Sequence, residues 1–239
     1  MLSQNPYSPP TALLEPEVDA DVTGTGDFEI GLCLSEAWAT TWANFPLWLG
    51  VWVVGMLCMA ASVLTIIGIV ALLPVIAWGF TRFSVAMHDR RAKFGDLFSG
   101  FSRYGSALGA MLALIVVNML AGAPTQVLAR LAPYTDSMAL QLSAVALHLV
   151  VSLVVTVRLS FAPLLVVDRG LGGFAAVAES WRVTGTRQGK LIRLNLLGGL
   201  VFVAGLLALG IGIIPAFVIV YLMTISAYRQ MLGGPLRSV

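Results

Sequence analysis

Few side chains in this 239-residue sequence are equipped for chemistry, and their spacing decides which chemistry that is. The two histidines, His88 and His148, fall on different apolar stretches. Neither sits in an HExxH pair, a nucleophile elbow or a phosphate-cradling glycine loop. Hydrolysis and group transfer have nothing here to organise them, so no catalytic, cofactor or metal-binding residue is expected. The two cysteines, Cys33 and Cys58, form no CxxC pair and read as small apolar residues. What remains is a set of polar side chains set into apolar sequence, and in lipid such groups turn toward another helix, a hydrated cavity or the headgroups. Asn118, His148 and Asn195 are the candidates for lining a cavity, with His148 more simply a neutral hydrogen-bonding group between helices. His88, beside Asp89 and Arg90, reads as a solvated loop residue. Arg158 reads as an anchor snorkelling to the headgroups, with Asp168 or Glu179 as a partner that would steady a bend at Pro163. Asp89-Arg90 and Asp168-Arg169 each precede an amphipathic segment, which makes the aspartates candidate helix caps and the arginines candidate phosphate contacts.

The elements that must hold these residues are membrane helices. Hydrophobic residues make up 58% of the chain and charged residues 11%, with a mean hydropathy of +0.90. An ordinary soluble domain carries about 25% charged residues. A bilayer core about 30 Å thick takes about 20 helical residues. Pro46–Met87 holds a single charge, Arg82, in a length that suits two spans, with a reversal expected near Gly68 and Pro74. Ser106–Gly122 and Met138–Val157 form a second pair around the break APTQVLARLAPYTD, and Leu191–Tyr228 a third pair divided at Gly210, Gly212 and Pro215. A barrel would need alternating polar and apolar residues, and LTIIGIVALLPVIAWGF has none. The predicted fold is therefore an all-α integral membrane protein with six transmembrane helices in three hairpins.

Six spans also place the basic residues. The loop from Arg82 to Arg103, the segment from Arg158 to Arg193 and the C-terminal tail then share one side, and together they hold every Lys and Arg except Arg130. That side is the cytoplasm. A multi-pass plasma-membrane protein with both termini cytoplasmic follows, and a net charge of +2 gives no footprint for nucleic acid. Residues 1–30, rich in proline and acidic residues, are expected to be a flexible cytoplasmic tail without the basic and apolar regions of a cleaved signal peptide. Residues 31–230 form the six-helix membrane domain and 231–239 a short cytoplasmic tail.

A unit repeats along the chain. Glu36-Ala37-Trp38 with Thr41 returns as Glu179-Ser180-Trp181 with Thr184, and FGDLFSGF at 94–101 is a looser copy. Leu34, Trp38, Trp42 and Phe45 form one apolar stripe; Phe94, Leu97, Phe98 and Phe101 a second; Phe174, Val177, Ala178 and Trp181 a third. Each hairpin is thus predicted to follow an amphipathic helix at the cytoplasmic interface, with anionic lipid headgroups as its partner. Gly105 with Gly109, and Gly198 with Gly205, read as sites of close helix approach.

The segment RLSFAPLLVVDRGLGGFAAVAESWRVTGTRQGKL, through Arg158, Pro163, Leu164, Asp168, Arg169, Ala175, Ser180, Trp181 and Thr184, resembles a bacterial family of poorly characterised multispanning proteins. That family is related to the membrane domain attached to some glycerophosphodiester phosphodiesterases. The resemblance implies a helical domain of the bacterial inner membrane that localises or regulates a partner. It does not bring phosphodiester hydrolysis, which belongs to a separate catalytic domain. Two functions of different class follow. One is a non-enzymatic scaffold or accessory protein that contacts lipid and a membrane or cytoplasmic protein. The other is a small-molecule or lipid transporter using Arg158, His148, Asn118 or Asn195 in an internal cavity.

Overall fold

The computed structural model describes residues 26–63, 66–131, 138–208 and 212–233, and within them the chain is all-α. The elements are α1 (Ile30–Ala43), α2 (Phe45–Val63), α3 (Ile66–His88), a 3-10 segment (Phe94–Phe101), α4 (Tyr104–Leu131), α5 (Met138–Leu159), α6 (Ala162–Arg169), α7 (Gly173–Thr186), α8 (Gln188–Leu207) and α9 (Ile213–Leu232). Among the described residues, five helical stretches are long and apolar enough to cross a bilayer: Phe45–Ser62, Tyr104–Leu128, Met138–Arg169, Gln188–Leu207 and Ile213–Leu232.

Two expected breaks turn out to be helix. Gly68 and Pro74 both lie inside α3, so the chain does not reverse there, and α4 runs through Pro124 to Leu131. Proline removes one backbone donor, and a membrane helix tolerates that where neighbouring groups compensate. Residues 64–65, 132–137 and Gly210 lie outside the described residues, as does the tail before residue 26. The last part of that tail is packed: Phe28 is buried, and Asp27 meets Lys190 at 2.6 Å. At the other end α9 continues to Leu232, with Met231 buried.

Three connecting elements dock in a cyclic order. α1 packs on α9, the 3-10 segment on α3, and α7 on α4, α5 and α6. The contacts are close because glycines stand where a side chain would collide. A methyl group at Gly79 would overlap the Leu97 carbonyl, one at Gly100 would meet the Val75 carbonyl at 2.6 Å, and one at Gly173 the Gly109 carbonyl at 2.6 Å. Gly198 and Gly205 likewise face α9, whereas Gly105 and Gly109 have open space where a side chain would go.

The buried faces of these connectors are not the aromatic stripes. α1 buries Cys33, Ala37 and Thr41, and α7 buries Ala176, Val177, Ser180 and Thr184. Trp38 and Trp181, at equivalent repeat positions, stay 54% and 42% exposed. The middle copy forms a 3-10 segment instead of an α-helix, so Leu97 and Gly100, three apart, share its buried face while Phe94, Phe98 and Phe101 are exposed. All three elements turn small or aliphatic groups inward and aromatic rings outward. The largest buried side chains include Trp48 in the first turn of α2, Phe83 and Met87 toward the end of α3, Phe161 and Leu165 before and within α6, and Leu222 and Tyr228 from the middle to the last turns of α9.

Candidate functional site: a buried carboxylate and guanidinium cluster

Three helices end close together. α6 stops at Gly170, in the left-handed conformation (φ 67°), the turn after α3 passes through φ 57° at Arg90, and α9 stops at Gly233, whose φ of 70° goes with an extended ψ of 171°. A left-handed residue after the last turn caps the final carbonyls and stops α3 and α6. In α3 this closure pairs the Arg91 N–H with the Ala86 carbonyl at 2.8 Å. The charged residues just before these stops are thereby held at one level.

There they converge. Arg229 of α9 donates from Nη1 to Asp168 Oδ2 at 3.0 Å and from Nη2 to Asp89 Oδ2 at 2.8 Å. Tyr228 donates its hydroxyl to the same Asp168 oxygen at 2.8 Å, while Asp168 Oδ1 is buried and accepts no hydrogen bond. The side chains of Asp89, Asp168 and Arg229 are 9%, 8% and 9% exposed. A guanidinium offers donors in a fixed fork, which lets one arginine serve two carboxylates from different elements. Around this core, His88 lies 3.6 Å from both Asp89 and Glu36 of α1. Glu36 accepts from Ser226, and Gln230 bonds Ser226 and Cys33 and accepts from the Glu29 N–H. Burial pushes the Cys33 thiol above its ordinary value, so it stays protonated and inert.

Several expectations change here. His88 is not a solvated loop residue, because it closes α3 and is covered by α1. Asp89 and Asp168 are not helix caps: Gly172 precedes α7 without a capping side chain, and Asp96, not Asp89, bonds the Lys93 N–H before the 3-10 segment. Arg169 is exposed, with one long contact of 3.5 Å to the Leu232 carbonyl. Sequence reasoning missed Arg229 and Tyr228. The signal was present, since Tyr228-Arg229 ends the third pair of spans as Asp89-Arg90 and Asp168-Arg169 end the first and second.

Arg158 forms a second centre. Its guanidinium donates to the Trp181 carbonyl at 2.9 Å and to Gln188 Oε1 at 2.8 Å, and lies 5.2 Å from the Trp181 ring centre. Its backbone carbonyl accepts from Ser180 at 2.6 Å and from Thr184 at 3.3 Å. Arg158, Ser180, Trp181 and Thr184 are therefore one contact set, clamping α7 to the end of α5, with Pro163 in the first turn of α6 just beyond the bend. Neither Asp168 nor Glu179 pairs with Arg158: Asp168 serves Arg229, and Glu179 binds Arg182, which holds its carboxyl below the usual range.

The cavity candidates do not come together. His148 bonds Thr125 of α4 at 2.9 Å, a link between helices. Asn118 and Asn195 each donate to a carbonyl of their own helix, Leu114 and Leu191. One cavity of about 480 Å³ lies between the end of α1 and the turn after α3, lined by Thr40, Asn44, Met87 and Arg90, and another of about 180 Å³ lies beside Trp52 and Phe217. None of Asn118, His148, Asn195 and Arg158 lines either one. Among the described residues, no three His, Cys, Asp or Glu side chains are grouped to hold a metal. The chemistry of the cluster is electrostatic: it fastens α3, α6 and α9 together and, through Glu36, α1 to them. Compared with known proteins, the chain matches no family model, no curated protein and no solved structure.

Proposed function

We propose that this chain is a multi-pass protein of a bacterial plasma membrane that acts as a non-enzymatic scaffold or accessory protein. Its six transmembrane helices form three hairpins, α2 with α3, α4 with α5 and α8 with α9, and both termini are cytoplasmic. α3 supplies the sixth span, with 23 residues and Arg82 as its one Lys or Arg. In this arrangement each connecting element lies at the cytoplasmic interface and docks on the hairpin before it in cyclic order. Trp38, Trp42, Phe98 and Trp181 face outward at headgroup level, where aromatic rings are favoured, with Arg91, Lys93 and Arg182 exposed near them for anionic lipid.

The observation that carries this reading is the Asp89–Arg229–Asp168 cluster. Opening the protein toward the arginine-rich side would pull one buried guanidinium from two carboxylates at once and unfasten the ends of α3, α6 and α9 from one another. A transport cycle repeats that opening, whereas a platform for a partner never requires it. The resemblance to membrane domains that localise or regulate a partner supports the same reading.

Recovery from native membranes in lipid nanodiscs tests it. A partner should copurify at fixed stoichiometry and be lost from the Trp38→Ala, Trp181→Ala double variant. Repeated recovery of the protein alone, or saturable solute flux in proteoliposomes, would overturn it. Reporters fused after Arg91 and after Arg187 should report the same side, and opposite sides would end the six-span arrangement.

A further inference from the structure

Asn118 occupies the midpoint of α4 on an exposed part of its surface. Its Nδ2 donates to the Leu114 carbonyl one turn back at 2.9 Å, and no other described element bonds it. Around it, Leu112, Ile115, Val116, Met119 and Leu120 are all exposed. With α4 crossing the bilayer, the remaining N–H and the Oδ1 of this amide lie in hydrocarbon, where nothing from lipid can bond them. Polar residues in spans normally face other helices or a water-filled space. The same pair of helices obeys that rule elsewhere, since Thr125 is buried and bonded to His148. Asn118 is the departure. One turn further on, Gly122 has only the side chain of Gln126, from its own helix, within contact distance, so among the described residues no other helix packs against it.

We infer that this face of α4 is the contact between two copies of the chain, with the two Asn118 amides hydrogen-bonded to each other. A primary amide carries both donors and an acceptor. Two copies related by a two-fold axis therefore satisfy both amides with one residue type, as an isologous contact requires. An apolar partner helix would leave the amide unbonded. A charged one would meet no opposite charge, because the nearest charge on α4 is Arg130, three turns away at the helix end. Small residues next to a polar group allow the backbones to approach closely enough for that bond.

This inference rests on α4 being a span, and the test separates the two. Fluorescently labelled full-length protein is reconstituted at falling protein-to-lipid ratios, and subunits are counted by single-molecule photobleaching. Wild type should bleach in two steps at high density and one on dilution. Asn118→Leu should weaken association about tenfold, while Asn118→Gln retains it. Single-step bleaching of wild type at every density, or Asn118→Leu associating like wild type, overturns the dimer. Asn118 is exposed and bonds to no other described helix, so the Leu variant should melt with wild type as a monomer. If it does not fold, a disulfide between copies of Ile115→Cys, which keeps Asn118 and lies exposed on the same stretch of α4, in a Cys33→Ala, Cys58→Ala background, decides: formation supports the contact and absence overturns it. A nitroxide on that same cysteine reports depth. Contact with oxygen but not with a water-soluble nickel reagent keeps the span, so monomers there defeat the dimer alone. Contact with nickel in water defeats the span and the dimer together.

Discussion

Arg229 and Asp168 meet at 3.0 Å across 61 residues of sequence, each with less than a tenth of its side chain exposed. Removing one charge of such a pair strands the other. Asp168→Leu should lower stability by about 3 kcal/mol, and Arg229→Met, which leaves two carboxylates facing each other, by at least as much. Combining Arg229→Met with Asp89→Asn and Asp168→Asn should recover most of the loss, because no charge remains buried. Thermal unfolding in one detergent checks this, and strictly additive losses would contradict it.

Glycine positions divide sharply by what surrounds them. Gly79→Ala drives a methyl group into the Leu97 carbonyl and should destabilise by about 3 kcal/mol or prevent the 3-10 segment from docking. Gly109→Ala enters open space in the second turn of α4 and should be neutral or stabilising by up to about 1 kcal/mol. Unfolding midpoints of the two variants supply the comparison.

Arg90 holds a conformation that suits glycine. Arg90→Gly should raise stability by up to about 1 kcal/mol, since the left-handed strain at φ 57° disappears while the exposed side chain gives up little. Arg90→Val should lower it. Equal melting of wild type and both variants would show that the turn does not hold this geometry.

Attachment of the segment before α1 depends on acid. Lys190, by hydrogen bonding to the Asp27 carboxylate, holds its pKa below the ordinary 3.8. The contribution is complete above that value and is lost as pH falls through the lowered one. Protection of the Phe28 and Glu29 amides, relative to the unstructured exchange rate at the same pH, should be high at neutral pH and fall as pH drops through the lowered value. Asp27→Asn should exchange fast already at neutral pH, and slow exchange there would remove the ion pair from the account.

His148 and Thr125 join α4 to α5 within the apolar region. Thr125→Val should cost about 0.6 kcal/mol and no more than about 1.7, the range for hydrogen bonds between membrane helices. Stability measured by steric trapping or reversible unfolding in bicelles resolves a change of that size.

Much of this was legible in the residues, and what was not has physical causes. The repeat placed Trp38 and Trp181 on matching helices, and Thr41 and Thr184 make the same bond to a carbonyl four residues back. Yet the aromatic stripe marks the exposed face, because a ring at a lipid interface gains nothing from being turned inward. Ala37 and Ser180 are buried instead, and small size, not hydrophobicity, selects them. Gly68 and Pro74 were misleading because turn signals calibrated in water lose force in lipid. Arg158 and Asp168 were visible as charges in apolar sequence, but spacing along a chain could not say that Asp168 would bind Arg229. The third pair of spans ends in Tyr-Arg where the others end in Asp-Arg, and the tyrosine adds a second donor to Asp168 beside that of the arginine common to all three.

The cyclic docking has a temporal consequence. Asp89 and Asp168 leave the ribosome 140 and 61 residues before Arg229, and Glu36 precedes its partner Ser226 by 190. At translation speeds of about 5 to 20 residues per second, Asp89 waits about 7 to 28 s for its cation. Throughout that interval α3 can hold the 3-10 segment and α4, α5 and α7 can pack together, but the nascent chain carries acidic groups in search of a counter-ion. The last helix to be synthesised is the bolt, so the carboxylates at the ends of α3 and α6 are joined to each other only once α9 is made.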